Sequence, residues 1–142
     1  MEGNPVVTVL KQSFLYVEDD ASSRHLIQIL MGTVLGYTQI TVFESSERFM
    51  ERVRALPAVP DAIFLDIHIA PHDGYALLEM LRREPAYQKV PVIAMTAGVM
   101  ASDVDKLKTA GFNGLIGKPI RKKVFPEQLK KILAGEPIWE VN

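Results

Sequence analysis

In four places an apolar run stops on a side chain that can do chemistry. Residues 14–17 lead into Glu18, Asp19 and Asp20, residues 62–65 into Asp66, residues 92–95 into Thr96, and Leu115 with Ile116 into Lys118. A buried strand that ends in this way delivers its polar residue to the edge of a sheet. If the strands run parallel, their carboxyl ends share one side and the four stretches meet at one cleft. Glu18, Asp19 and Asp66 then bring three carboxylates together, and three like charges a few ångströms apart require either protonation or a cation. A hard divalent cation is the natural answer, because carboxylates, a backbone carbonyl and waters form the oxygen shell of Mg²⁺ and leave room for phosphate oxygens. Lys118 adds a point charge and Thr96 a hydroxyl, both suited to phosphoryl oxygens. Asp66 stands alone at its strand end, which makes it the candidate nucleophile toward phosphorus, with Glu18 and Asp19 as metal ligands.

The elements that must position these groups follow from pattern. Strands are predicted over 14–17, 40–43, 62–65, 90–95 and 115–116, alternating with helices over 21–35, 47–56, 74–83, 102–110 and 121–133. Leu26, Ile29, Leu30 and Val34 share one helical face, as do Phe49, Met50, Val53 and Leu56, and later Phe125, Leu129, Ile132 and Leu133, so these faces are expected to be buried. Residues 62–65 and 92–95 are apolar throughout, as strands covered on both faces must be, whereas Thr41 breaks the run at 40–43 and suits an edge. Strict alternation implies an α/β fold, a doubly wound five-stranded parallel sheet of (βα)5 type. Residues 1–12 read as a lead-in, 13–134 as one domain and 135–142 as a tail whose Ile138 and Trp139 either fold back on it or meet a partner.

The bulk numbers narrow the function classes. The 142 residues suffice for one domain with a real core. Lys and Arg total 16 against 17 for Asp and Glu, so no positive field favours direct nucleic-acid binding. With no cysteine there is no disulfide framework and no thiolate chemistry, and no apolar stretch is long enough for membrane insertion. No signal peptide opens the chain, and a cytoplasmic location is expected. Neither a Walker sequence nor a dinucleotide fingerprint follows the first strand, which disfavours nucleotide binding.

Taken together, Leu15-Tyr16-Val17-Glu18-Asp19-Asp20, Phe64-Leu65-Asp66-Ile67 with Asp73-Gly74, Val92-Ile93-Ala94-Met95-Thr96-Ala97 and Gly117-Lys118-Pro119-Ile120 resemble the CheY-like receiver domain of two-component response regulators. The resemblance implies the flavodoxin-like strand order 2-1-3-4-5. It further implies that Asp66 accepts a phosphoryl group, in a phosphorelay, from a sensor histidine kinase or a histidine phosphotransfer protein. Mg²⁺ would be held by Asp19, Asp66, Glu18 through water and the backbone carbonyl of His68, and Thr96 and Lys118 would grip the phosphoryl group. A cis peptide is expected at Lys118-Pro119. The output would be a conformational shift read by a downstream protein target, from a monomer or weak dimer that is a phosphoacceptor rather than an enzyme. Two departures stand out: Leu115 occupies the place where relatives carry a switching Tyr or Phe, and Pro71 lies one position later than the usual loop proline, with Ala70 in its place. Rival readings are an aspartyl-phosphate phosphatase or phosphotransferase, for which His68 replaces the usual second acid, and a receiver-shaped interaction module that is never phosphorylated.

Overall fold

In the computed structural model, residues 10–98 and 100–140 are described; most of the lead-in expected over 1–12 lies outside them. The strands are β1 (Ser13–Val17), β2 (Gln39–Phe43), β3 (Ala62–Asp66), β4 (Val92–Thr96), β5 (Gly114–Gly117) and β6 (Ile138–Glu140). The helices are α1 (Ala21–Gln28), α2 (Phe49–Arg54), α3 (Gly74–Arg82), α4 (Ala101–Ala110) and α5 (Phe125–Leu133). All strand pairs are parallel, in the order β2-β1-β3-β4-β5-β6. The doubly wound flavodoxin-like order is therefore as expected, and β2 is an edge strand as Thr41 suggested.

Among the described residues the sheet has six strands and not five. Ile138, Trp139 and Glu140 do return to the domain, as a strand in register with Gly114, Leu115 and Ile116. Gly114 permits this: a Cβ there would lie 2.5 Å from the Ile138 carbonyl oxygen and 3.0 Å from Ile93 Cδ1, so any side chain would push β6 away.

Alternation along the strands divides the core into two layers. Leu15, Val17, Ile63, Leu65, Val92, Ala94 and Leu115 face Phe49, Val53, Leu77, Leu81 and Leu107, which come from α2, α3 and α4. Phe14, Tyr16, Phe64, Ile93, Met95 and Ile116 face Ile27, Leu30, Phe125, Leu129 and Ile132 on the α1 and α5 side. Every residue of β3 and β4 is buried, which fixes the carboxyl ends of the central strands and hence Asp66 and Thr96.

The first helix departs from expectation. After Gln28 it continues as a π-helix over Ile29–Val34, with the Leu35 amide bonded to the Leu30 carbonyl at 3.0 Å. In this i→i+5 register Leu35 packs at the margin of the core that holds Leu30. Ile29 and Val34, predicted to be buried, are exposed at 38% and 62%, while Ile27, Leu30 and Met31 fill the core. The predicted faces of α2 and α5 are buried as spacing required, with Phe49, Val53, Phe125, Leu129 and Ile132 inside and Met50, Leu56 and Leu133 packed at the margin.

Candidate functional site

The carboxyl ends of β1, β3, β4 and β5 open on one side, and three of them deliver the charged residues. Glu18 follows β1 and is fully buried, Asp66 closes β3 at 5% exposure, and Asp19 beside Glu18 is exposed. One carboxylate oxygen from each of the three lies within 4.8 Å of the others. Lys118, just beyond β5, reaches back into this cluster: its ammonium donates to Glu18 Oε1 and lies 3.4 Å from Asp66 Oδ2.

Local bonds hold each group. Asp66 Oδ1 accepts from the His68 amide at 3.0 Å, which orients the carboxylate and leaves Oδ2 toward Lys118. The Lys118 amide donates to the Thr96 carbonyl at 2.9 Å, so the ends of β4 and β5 are tied together beside Asp66. The Thr96 hydroxyl itself is 6% exposed by residue and makes a long 3.4 Å bond to the Ala97 carbonyl, leaving it easily redirected. The peptide Lys118-Pro119 is cis, as is Ala70-Pro71, the shifted loop proline, where no cis bond was expected.

The loop after Asp66 is fixed from two directions. Gly74 lets the start of α3 close on it, since a Cβ there would lie 2.9 Å from Ile67 Cα. Ser46, fully buried, accepts from the His72 amide and donates to the His72 carbonyl through Oγ, both at 2.7 Å. Asp73 caps α3 by accepting from the Ala76 amide at 2.9 Å, and Asp20 caps α1 by accepting from the Ser23 amide at 2.8 Å.

Two supporting residues escaped the sequence reading. Tyr16 of β1, two places before Glu18, donates its buried hydroxyl to Glu18 Oε1 at 2.9 Å. Arg24 on α1 donates to the Glu18 carbonyl at 3.0 Å and pairs with Glu44 at 3.7 Å. The period of two along a strand was the available signal for Tyr16; none existed for Arg24.

The electrostatics follow from burial. Burial raises the Glu18 carboxyl above its ordinary value, the Asp66 carboxylate adds to the rise, and Lys118 opposes it. For Lys118, burial alone would lower the ammonium, but Glu18 and Asp66 override it and hold the proton more tightly than usual. With one ammonium against three carboxylates, the cluster retains two formal negative charges when fully ionised. That residue of charge, presented by oxygen donors alone, fits one hard divalent cation.

A model of the response regulator receiver domain matches residues 14–130 of the chain. The chain belongs to this family. The receiver is 32% identical over 124 residues to the polar-differentiation response regulator DivK of Brucella ovis, covering 87% of this chain and 98% of DivK. It is 29% identical over 129 residues to the signal transduction histidine-protein kinase BarA of Escherichia coli K12, covering 91% of this chain but spanning only 14% of BarA. Among solved structures, it resembles the receiver domain of the sensor histidine kinase PA1611 from Pseudomonas aeruginosa, with a TM-score of 0.74 and 25% identity over 87% of this chain and 98% of that one. That structure carries a magnesium ion coordinated in its active site cleft. Receivers thus occur both as separate regulators and within kinases, and this one has the sequence pattern of two-component signalling. Among its described residues, no helix is long and apolar enough to cross a membrane.

Proposed function

We propose that this receiver is a phosphorylation switch in which Asp66 accepts a phosphoryl group from a phosphohistidine on a sensor histidine kinase or histidine phosphotransfer protein. The observation that carries the proposal is the Lys118 ammonium 3.4 Å from Asp66 Oδ2, two groups 52 residues apart brought to one cluster with Glu18 and Asp19. In the transfer, an Asp66 carboxylate oxygen forms the new bond to phosphorus while the P–N bond to the donor imidazole breaks, and the imidazole nitrogen keeps the electron pair. Asp19, Asp66, Glu18 through water and the backbone carbonyl of His68 would hold Mg²⁺. When bound, that ion supplies positive charge against the equatorial oxygens of the transferring group.

Lys118 has a double role in this account. Before transfer it is paired with Glu18 and keeps the cluster from repelling itself. Afterwards it neutralises a phosphoryl oxygen on Asp66, and the Thr96 hydroxyl, released from its long bond to Ala97, donates to another. Movement of Thr96 at the end of β4 and of Lys118 at the end of β5 is transmitted along those strands to the neighbouring helices, where a protein partner reads it. Leu115 is buried within the core and carries no ring to swing, so the shift passes through backbone and packing. We place the receiver unit at 13–134, with β6 from the tail added to the edge of its sheet, and its action in the cytoplasm.

Incubation with Mg²⁺ and a small phosphodonor tests the reading. Intact-mass analysis should show one phosphoryl group per chain, sensitive to mild base as an acyl phosphate is, and none on Asp66→Asn. Labelling of both proteins, or of neither, would refute it.

A further inference from the structure

Tyr16 is fully buried, with its ring edge-on to Phe64 at a centroid distance of 6.5 Å. A phenylalanine would fill the same space in that aromatic layer without bringing a polar atom into it. A buried hydroxyl is costly unless it is bonded, and this one has its partner in Glu18 Oε1 at 2.9 Å. The same oxygen accepts from Lys118, while Oε2 accepts from the Asp20 amide at 3.2 Å. The two donors to Oε1 differ in kind: Lys118 is a long chain whose ammonium also faces Asp66, whereas the Tyr16 ring is clamped by the core and its hydroxyl has little freedom to leave.

From this difference we infer that Tyr16 is a positioning residue for the cation site, its hydroxyl fixing the Glu18 carboxylate so that the site keeps its shape when Lys118 turns to a phosphoryl group. The inference rests on the cation-binding reading of the site. Without Tyr16, withdrawal of Lys118 would leave Oε1 of a buried carboxylate with no side-chain donor among the described residues, and Glu18 would be free to rotate. Groups that orient a metal-binding carboxylate in this way commonly matter to affinity almost as much as the ligands do.

The test is a titration with Mn²⁺, a paramagnetic ion served by the same carboxylate and water donors as Mg²⁺. Binding is followed by electron paramagnetic resonance in the parent, Tyr16→Phe, Glu18→Gln and the double variant. Loss of the hydroxyl should weaken Mn²⁺ binding about tenfold in the parent background and by no more than about twofold when Glu18 is already an amide. Equal affinity of the parent and Tyr16→Phe would overturn the inference. So would an equal loss in both backgrounds, since the hydroxyl would then act through the fold and not through Glu18. Failure of the parent itself to bind Mn²⁺, or to release it to excess Mg²⁺, would instead remove the cation-site reading on which the inference stands.

Discussion

The Lys118 ammonium is bonded to Glu18 and stands 3.4 Å from Asp66, so the residue that would serve the phosphoacceptor is engaged first with its neighbour. Lys118 therefore acts as an internal counter-ion, and its removal should have opposite effects on two properties. In Lys118→Met the cluster loses its one ammonium, so Mg²⁺ binds more tightly, by about three- to tenfold for a charge a few ångströms away screened almost as in bulk water. Phosphorylation by a small donor falls in the same variant. Calorimetric Mg²⁺ titration beside a labelling time course checks both, and a parallel loss of both would contradict the assignment.

The raised Glu18 carboxyl sets a pH dependence. Folded Glu18 holds its proton above the ordinary 4.5, where the unfolded chain has already released it. The metal-free fold therefore loses stability as pH rises from that value through the folded one, while Mg²⁺ affinity rises over the same window because ligands must be deprotonated. Lys118 works at the other end: its contribution is complete below the ordinary 10.5 and fades as pH climbs through its raised value. Melting curves with and without Mg²⁺ from pH 4 to 8 should diverge upward with pH; a constant gap would contradict this.

Much of this site was legible because the signal was local. An all-apolar run before Asp66, and another before Thr96, announce buried parallel strands, and parallel strands force their ends together whatever the loops do. The strand Ile138–Glu140 was not legible as such, since three residues after Pro137 are too few to display alternation. Nor was the π-helix at Ile29–Val34: the spacing of Leu26, Ile29, Leu30 and Val34 satisfies an α-helix, and a change of hydrogen-bond register leaves no mark in side-chain type. Tyr16 looked like one more apolar strand residue, because its hydroxyl matters only through what stands two residues on.

The sixth strand depends on the bare backbone of Gly114. Gly114→Ala should dislodge β6 from β5 and cost about 1–3 kcal/mol, as overpacking typically does. Trp139, the sole tryptophan, has the Lys108 ammonium 5.1 Å over its ring and reports directly on β6. Its emission should shift to the red in the variant; an unchanged spectrum and melting temperature would contradict the close approach.

The cap on α3 is a modest, separable contribution. Asp73→Ala removes the acceptor for the Ala76 amide and should cost about 1 kcal/mol by chemical denaturation. Mg²⁺ affinity should stay near that of the parent, because Gly74 and the Ser46 bonds still hold the loop. A large loss of Mg²⁺ binding would show that the cap, and not those bonds, positions Asp66.

The central claim is that chemistry at Asp66 is felt at Thr96 and Lys118 and from there across the sheet. Heteronuclear NMR of the protein with Mg²⁺, before and after beryllofluoride, measures this residue by residue. The account predicts shifts at the amides of Asp66, Thr96 and Lys118 that continue into Leu115 and α4, and that vanish in Asp66→Asn. Shifts confined to Asp66, or persisting in the variant, would contradict it.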